Sequence, residues 1–363
     1  MFNYTLNTYE MKRDILNFSN KMSNNLTKPT KKFVMDSLYG IAKSKSCLIS
    51  NIARALKEDV KLKYVIERLC DNYSNLTDNE INIMKSNYYD EVKDLFHAEP
   101  IAIFDDSDIA KKYGIEEGQS TDTVRKVLSR KCNMVFDRGY DDNKIIDYVD
   151  SNGDYFVIRM DDKRNFLFKG KKKNCYKEAV KRKGKVRMEL WFDDNEVHEV
   201  YVSHTRVTLS YNKKDYELVF VYGLSEERPL ILLTNRNIKS KEDVIKVVRL
   251  YFYRWRVEEY FRTKKQEYDF ENIRLRTLKS INNLNLMLII FMGYLGIKVE
   301  KINKNLLTIK IIYASESIRE KVCMWTGQIA RGIGKILEHA HTGIKGWQHI
   351  EERNKYKQLE LKL

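Results

Sequence analysis

Apolar and polar residues repeat with two different periods along the chain. From position 154 to 235 apolar residues recur at every second position, in runs such as YFVIRM, EVYVSHTRVTL and YELVFVYG, which are separated by polar or glycine-containing turns. A period of two is typical of β-strands with one buried face. Residues 1–97 instead repeat their apolar positions at helical spacing, as in Ile49, Ile52, Ala53 and Leu56, where Ser50 and Asn51 are candidate helix caps. The pattern therefore predicts a helical N-terminal segment and a β-rich segment over 154–235.

Two short apolar runs between these segments each end in an aspartate. IAIF is followed by Asp105, and NMVF is followed by Asp137. A helical pattern from Ser120 to about position 130 lies between them, so the order strand, helix, strand predicts an α/β unit. Because ligands of such sheets gather at the carboxyl ends of the strands, both aspartates are candidate ligand residues. Asp106 is a rival for Asp105, but the alternation of side chains along a strand favours Asp105.

A long helix is predicted to start after Ser240, a suitable N-cap followed by two acidic residues. Glu258 continues the apolar stripe of this helix, which consists of Val244, Val247, Val248, Tyr251 and Trp255. A carboxylate on the core-facing side of a helix is costly unless a metal, a cation or a hydrogen-bond network receives it. The sequence therefore predicts that Glu258 has such a partner.

Four polar residues of this helix share one narrow stripe. Tyr251, Arg254, Glu258 and Lys265 follow the spacing Y-x2-R-x3-E-x6-K and fall within about 60° around the helix axis. Their side chains can therefore contact the same ligand. Arg254 and Glu258 are also an i,i+4 pair, which on a solvated face contributes only a few tenths of a kcal/mol. The sequence alone leaves both interpretations open.

The charge balance points to a polyanionic partner. The chain carries 66 Lys and Arg against 51 Asp and Glu, a net charge of +15 at pH 7, which favours nucleic acid or an anionic membrane surface. The most apolar run, Leu286 to Ile297, is shorter than the ~20 residues that a membrane span needs, and residues 1–20 lack a secretory signal pattern. The five cysteines show no C-x-x-C spacing, which argues against a disulfide framework or a zinc site. We therefore expect a cytoplasmic, soluble protein that binds nucleic acid.

Two basic segments could contact DNA. Residues 169–187 are the densest basic segment and are either a solvated loop or, as the nearby carboxylates favour, a surface for the phosphate backbone formed by Lys171, Lys172, Lys173 and Arg182. The N-terminal helices are either a helix-turn-helix-like DNA-binding domain or a plain helical bundle with a solvated lysine face.

Mg²⁺ and Mn²⁺ prefer oxygen ligands, which the carboxylates of Asp105, Asp137 and Glu258 can supply. Two such ions together can catalyse the cleavage of a phosphodiester bond. With FDDSD at the first aspartate, VFDRGYDDNK at the second and the Y-x2-R-x3-E-x6-K spacing, the chain resembles the DDE transposases of the IS-four group of bacterial insertion sequences. The resemblance covers most of the chain.

The resemblance implies an RNase H-like α/β catalytic core with a β-rich insertion before the glutamate, and an N-terminal all-helical domain that contacts the terminal inverted repeats. Matched by position, Asp105, Asp137 and Glu258 would be the catalytic, metal-binding residues. Tyr251, Arg254 and Lys265 would hold the DNA end near the cleaved phosphate. The implied partners are the inverted repeats, target DNA and a second protomer, in a dimer that pairs two element ends.

The interval between the two aspartates is short for such a core. Only 31 residues separate Asp105 from Asp137, and the predicted helix leaves SDIAKKYGIEEGQ for the two further strands that an RNase H-like sheet inserts here. Strands average 5 to 6 residues, so a normal hairpin hardly fits. We therefore expect these two strands to be lost or shortened, which would leave the strand before Asp105 with an unpaired edge and a less rigid first ligand.

Five segments are predicted: 1–97 helical and DNA-binding, 98–153 the first part of the core, 154–235 the β-rich insertion, 236–300 the second part of the core, and 301–363 a basic C-terminal region. The function expected from them is cut-and-paste DNA transposition, in which phosphodiester hydrolysis and strand transfer share one metal site. The alternatives are an internally deleted derivative that binds DNA ends without cutting them, and a basic structural protein with incidental carboxylates.

Overall fold

The computed structural model describes residues 4–96, 98–104, 130–191, 197–225, 228–302, 304–316 and 325–344. Asp105, its rival Asp106 and the helix predicted after Ser120 lie outside these residues. Contacts between residues divide the chain into two compact units. The sheet unit is Phe96–Glu259, and the helical unit combines Met1–Leu95 with Tyr260–Leu363.

The described residues form twelve α-helices. In chain order they are α1 (Tyr4–Met22), α2 (Lys28–Ser44), α3 (Ile49–Leu56), α4 (Leu62–Asn75), α5 (Asp78–Val92), α6 (Asn143–Ser151), α7 (Cys175–Val180), α8 (Lys241–Phe252), α9 (Trp255–Gln266), α10 (Leu278–Glu300), α11 (Leu306–Ala314) and α12 (Trp325–Glu338).

The helical unit is organised around α10. This helix buries Leu284, Leu288, Phe291 and Leu295 in a core that it shares with the N-terminal helices. By length and composition α10 could cross a membrane, but 67% of its most apolar 18-residue window is buried. Burial of this extent is typical of the central helix of a bundle.

Packing in this unit differs from the predicted segments. Residues 260–300 were assigned to the second part of the catalytic core, yet α10 packs with α2, α4 and α5 because its apolar residues surround most of the helix. The region 301–363 was predicted as a basic extension, yet α11 and α12 join the same core. The buried isoleucines of α12, Ile329, Ile333 and Ile336, recur three or four positions apart, as expected for a helix with one core-facing side.

The predicted caps of α3 are also wrong. The N-cap is Leu48, and Ser50 and Asn51 lie inside the helix. Ser46 fixes this start instead, because its hydroxyl accepts hydrogen bonds from the Leu48 amide N–H at 3.1 Å and from the Asn51 side chain at 3.2 Å. The buried residues of the N-terminal helices belong to one core, and the contact of these helices with DNA stays a prediction.

Close helix packing in the helical unit gives a stability test. A Cβ at Gly332 on α12 would lie 2.0 Å from the Ile311 carbonyl oxygen on α11, whereas a Cβ at Gly327 on the same helix meets nothing within 4 Å. We expect Gly332→Ala to lower the free energy of unfolding by about 2 kcal/mol or more, because backbone must move. The control Gly327→Ala should raise it by about 0.5 kcal/mol, because alanine favours the helix. Urea unfolding measures both, and equal effects would contradict this packing.

The sheet unit contains nine strands in the described residues. They are β1 (Ile101–Phe104), β2 (Asn133–Phe136), β3 (Tyr155–Arg159), β4 (Asn165–Phe168), β5 (Lys171–Asn174), β6 (Val186–Trp191), β7 (Val197–Thr208), β8 (Asp215–Tyr222) and β9 (Leu230–Thr234). The strand order is β1-β2-β3-β9-β8-β7-β4-β5, and β6 pairs with β7 beside this path. The first three strands are parallel, and the later pairs are antiparallel. The predicted α/β character and the strands predicted over 154–235 are confirmed, and these strands continue the same sheet as β1 and β2.

Parallel pairing places the ends of the first strands side by side. Phe104 of β1 is opposite Phe136 of β2, which is opposite Ile158 of β3. The residues that follow in the sequence are Asp105, Asp137 and Arg159. Within the described residues β1 pairs only with β2 and is the first strand in the order.

The predicted long helix is divided into α8 and α9. A capping box of Ser240 and Asp243 starts α8, which confirms the predicted N-cap. At the junction the amide N–H groups of Arg254, Arg256 and Val257 bond carbonyls three residues earlier instead of four. No proline or glycine causes this, but the run YFYRW is rich in aromatic residues, which lose side-chain freedom in a helix.

The junction changes which side of the helix faces the core. A 3₁₀ turn advances about 120° per residue instead of the about 100° of an α-helix, so α9 is rotated relative to the stripe of α8. Val244, Val247 and Val248 pack on the sheet as predicted. Glu258, predicted to face the core, has a side chain that is 51% exposed, and Trp255 is only half-buried.

Candidate active site

Asp137 is the centre of the candidate site. It follows β2, all four residues of which are buried, and it precedes a 3₁₀ turn over Arg138–Tyr140. The Tyr251 hydroxyl donates a hydrogen bond of 3.1 Å to Asp137 Oδ1. The nearest guanidinium nitrogen of Arg159 lies 3.8 Å from the same oxygen. Residues at the ends of β2 and β3 and one residue of α8 therefore lie close together, around the carboxylate of Asp137.

The surroundings of Asp137 keep it ionised at neutral pH. Partial burial by itself would raise the pKa of the carboxyl group. The Arg138 amide, the charge of Arg254 and the hydrogen bond from Tyr251 outweigh this and hold the pKa below its ordinary value. Burial and the Asp137 charge raise the pKa of Tyr251 to about 12, so its hydroxyl remains a donor.

Arg254 pairs with Glu258 and lowers the pKa of Asp137 through its charge. Its guanidinium lies 3.0 Å from Glu258 Oε1, and the Arg254 side chain is only 11% exposed. The i,i+4 pair expected from the sequence is thus present, but Arg254 is not on a solvated face. The guanidinium also lies 6.0 Å from the centre of the Tyr251 ring. Tyr251 therefore contacts Asp137 directly, and Arg254, whose charge lowers the pKa of Asp137, contacts Glu258.

A cavity of about 670 Å³ opens beside these residues. Its lining includes three aromatic residues, several aliphatic residues and five charged residues, namely Arg138, Arg159, Arg228, Arg254 and Asp162. Such a lining suits a segment of a polyanion that also carries flat rings.

Sequence reasoning missed Arg159 and Arg138 in this site. Arg159 could have been predicted, because side chains at the carboxyl ends of neighbouring parallel strands lie at one edge of the sheet. Its strand, β3, is next to β2. Arg138 follows Asp137 directly, but the direction of its side chain depends on the 3₁₀ turn.

The other predicted DNA-binding residues lie elsewhere. Lys265 belongs to the helical unit, where its Nζ lies 2.7 Å from a carboxylate oxygen of Glu271. Residues 169–187 are not a continuous loop, because β5 and α7 form within them. Glu178 binds both Lys173, at 3.3 Å, and Arg182, at 3.0 Å. Lys171 and Lys172 are exposed on β5, at the far end of the strand order from β1.

The described residues contain no group of three or more His, Cys, Asp or Glu side chains that could hold a metal ion. Asp105 lies outside them, so the described part of the site has two carboxylates. Asp137 and Glu258 have the hard oxygen donors that Mg²⁺ and Mn²⁺ prefer, and Asp137 has the ionised form that a metal ligand requires. The oxygen donors of these two residues are therefore of the type that a divalent ion prefers.

A model of the transposase DDE domain matches residues 112–294, about half of the chain. The chain belongs to this transposase family. The matched segment contains Asp137, Tyr251, Arg254 and Glu258. It begins after Asp105. A search of curated proteins finds no match for this transposase.

The hydrogen bond between Tyr251 and Asp137 gives a pH-dependent prediction. We expect Tyr251→Phe to raise the pKa of Asp137 and to cost about 1 kcal/mol of stability at neutral pH. Since the pKa of folded Asp137 is depressed, this contribution is present above the ordinary value of 3.8 and is lost as the pH falls through the folded value. NMR titration of the carboxyl carbon measures the pKa, with Tyr253→Phe as control. An unchanged pKa in Tyr251→Phe would contradict the hydrogen bond.

Proposed function

We propose that this transposase hydrolyses phosphodiester bonds at the ends of a bacterial insertion sequence of the IS-four group and joins the freed 3′ ends to target DNA. One observation carries the proposal: Asp137 is held ionised beside Tyr251 and Arg254, and Arg254 contacts Glu258. Tyr251 of the Y-x2-R-x3-E-x6-K motif thereby contacts the second aspartate at the carboxyl edge of a parallel sheet, and Arg254 and Glu258 of the same motif contact each other.

Asp105, Asp137 and Glu258 are the proposed ligands of Mg²⁺ or Mn²⁺. The proposal includes Asp105 because it follows β1 directly in the sequence and β1 is the parallel neighbour of β2. When bound, such ions activate the attacking oxygen and stabilise the leaving oxygen of a phosphodiester. The chain's own part is to fix the carboxylates at the ends of two strands and one helix.

Arg159 and Arg254 are proposed to bind the DNA phosphates next to the cleaved bond. Both line the cavity beside Asp137, and a guanidinium can donate two parallel hydrogen bonds to one phosphate. Arg254 contacts Glu258 without DNA, so we propose that it exchanges this carboxylate for a phosphate when DNA binds. That exchange would leave Glu258 available to a metal ion.

Further contacts with DNA are proposed for the rest of the chain. Lys171 and Lys172 are exposed and suit the phosphate backbone, whereas Lys173 and Arg182 share Glu178 and should contribute less. Lys265 is proposed to approach the DNA end, and the N-terminal helices to bind the inverted repeats. We also propose that two protomers form a dimer that pairs two element ends, in the bacterial cytoplasm and on its nucleoid.

A second candidate function is DNA-end binding without cleavage. The short interval between Asp105 and Asp137 favours it, as does the position of β1, which pairs only with β2 among the described strands. We propose that the two strands which complete an RNase H-like sheet are lost or shortened here. A ligand on such an edge strand is held less rigidly, and catalysis tolerates little misplacement.

A cleavage assay separates the two functions. Duplexes carrying the DNA that flanks the reading frame are incubated with the protein and Mg²⁺ or Mn²⁺, and binding and nicking are measured on the same samples. Nicking at a fixed position supports the transposase reaction. Tight binding without nicking supports the impaired derivative, and the absence of both contradicts each proposal.

A further inference from the structure

A second row of side chains extends from α8 and α9, on a different side from Tyr251 and Arg254. The sequence YFYRWR contains two interleaved Tyr-x2-Arg pairs, Tyr251 with Arg254 and Tyr253 with Arg256. The first pair lines the cavity beside Asp137. The second pair lines another cavity together with Arg249. This second row has no role in the site described above.

The second cavity is an open groove of about 790 Å³ between β6 and the helices. Arg187 of β6 faces the groove from the sheet side, is 64% exposed and pairs with Glu199 of β7. Arg249 and Arg256 are exposed on the helix side, and the Tyr253 ring is 43% exposed. Glu189 is the acidic residue of the lining, so three arginines outnumber one carboxylate.

The two cavities adjoin at the junction of α8 and α9. Phe252 lines both of them, and the residues on either side of it belong to one cavity or the other. A ligand that is long compared with a single nucleotide can therefore contact Arg254 on one side of the junction and Arg256 on the other. A small anion would need only one of these cavities.

We propose that a groove next to the site binds the phosphate backbone of duplex DNA, where this DNA continues beyond the phosphate bound beside Asp137. The groove is lined by Arg187, Arg249, Tyr253 and Arg256. The proposal rests on the proposed function for the position of the cleaved bond, and it adds the path of the DNA across the junction. Exposed arginines on two facing walls attract a backbone through its charge, independently of base sequence. The net charge of +15 suits the same partner.

The test compares two double variants that remove the same amount of charge, one from the groove and one from outside it. Arg249→Gln with Arg256→Gln removes two groove charges, and Lys241→Gln with Lys246→Gln removes two exposed charges of α8 outside the groove. Binding of a labelled duplex of about 40 base pairs and arbitrary sequence is measured by fluorescence anisotropy over a range of salt concentrations. We expect the groove variant to lose about tenfold in affinity and about 2 in the slope of log K against log salt. The control should lose much less.

Two further measurements distinguish a loss of charge from a loss of folding. Arg249→Lys with Arg256→Lys keeps the charges and should restore most of the affinity, while thermal unfolding shows whether each variant is folded. Equal losses in the groove and control variants would overturn the proposal. Because binding to arbitrary DNA needs no cleavage, this result is independent of the nicking assay. If the native protein nicks DNA ends but the groove variant keeps its affinity, the groove proposal fails and the proposed function stands. If the groove variant loses affinity but the native protein does not nick, the proposed cleavage fails and the groove proposal stands.

Discussion

Glu258→Gln is expected to reduce DNA cleavage by at least about 10³-fold while DNA affinity stays within about twofold. Glutamine has nearly the same shape, and its side-chain oxygen can still accept the hydrogen bond from Arg254, which lies 3.0 Å from Glu258 in the native protein. What it lacks is the negative charge that a divalent ion requires. Cleavage rates and Kd values for the same duplex separate the two effects.

Glu259→Gln is the matched control for this prediction. It removes the same charge from the next position of α9, on a different side of the helix. Its cleavage rate should stay within a few-fold of the native rate. Equal losses in the two variants, or a Glu258→Gln protein that cleaves normally, would remove Glu258 from the set of metal ligands.

Asp105→Asn is expected to abolish cleavage to a similar degree, again with DNA affinity largely retained. The expectation comes from the position of Asp105 after β1, whose last residue, Phe104, pairs with Phe136 immediately before Asp137. Neighbouring carboxyl ends of parallel strands place their following residues at one edge of the sheet. Cleavage of an end-bearing duplex in Mn²⁺ is the measurement.

Asp106→Asn distinguishes the two acidic residues at this strand end. Side chains alternate along an extended backbone, so Asp105 and Asp106 cannot both face the same ion in the same way. We expect Asp106→Asn to retain at least about a tenth of the native rate. A reversed pattern, with Asp106→Asn inactive and Asp105→Asn active, would make Asp106 the first ligand.

Much of the sheet unit could be predicted from the sequence because its signals are local. Strands β3, β7 and β8 form where the sequence has short apolar runs between polar or glycine-containing turns, and Asp137 follows an apolar run that becomes fully buried β2. The capping box at Ser240 is likewise a local signal and was found in the structure. Period and capping depend on nearby residues, which a single sequence displays.

The features that the sequence did not reveal depend on tertiary contacts or on small changes of helix geometry. The junction at Tyr253 and Arg254 contains no helix-breaking residue, and a few 3₁₀ hydrogen bonds there suffice to turn Glu258 away from the core. The membership of α10 in the helical unit follows from which core it packs against. An apolar helix fits either core by composition, so its pattern could not decide between them.

The central claim is that Asp105, Asp137 and Glu258 gather around shared divalent ions. An anomalous difference map from crystals of the protein with Mn²⁺ and a DNA end tests it most directly. We predict Mn²⁺ peaks about 2.1 Å from carboxylate oxygens of all three residues. Three carboxylates too far apart to share an ion, or Mn²⁺ bound at other residues, would contradict the claim.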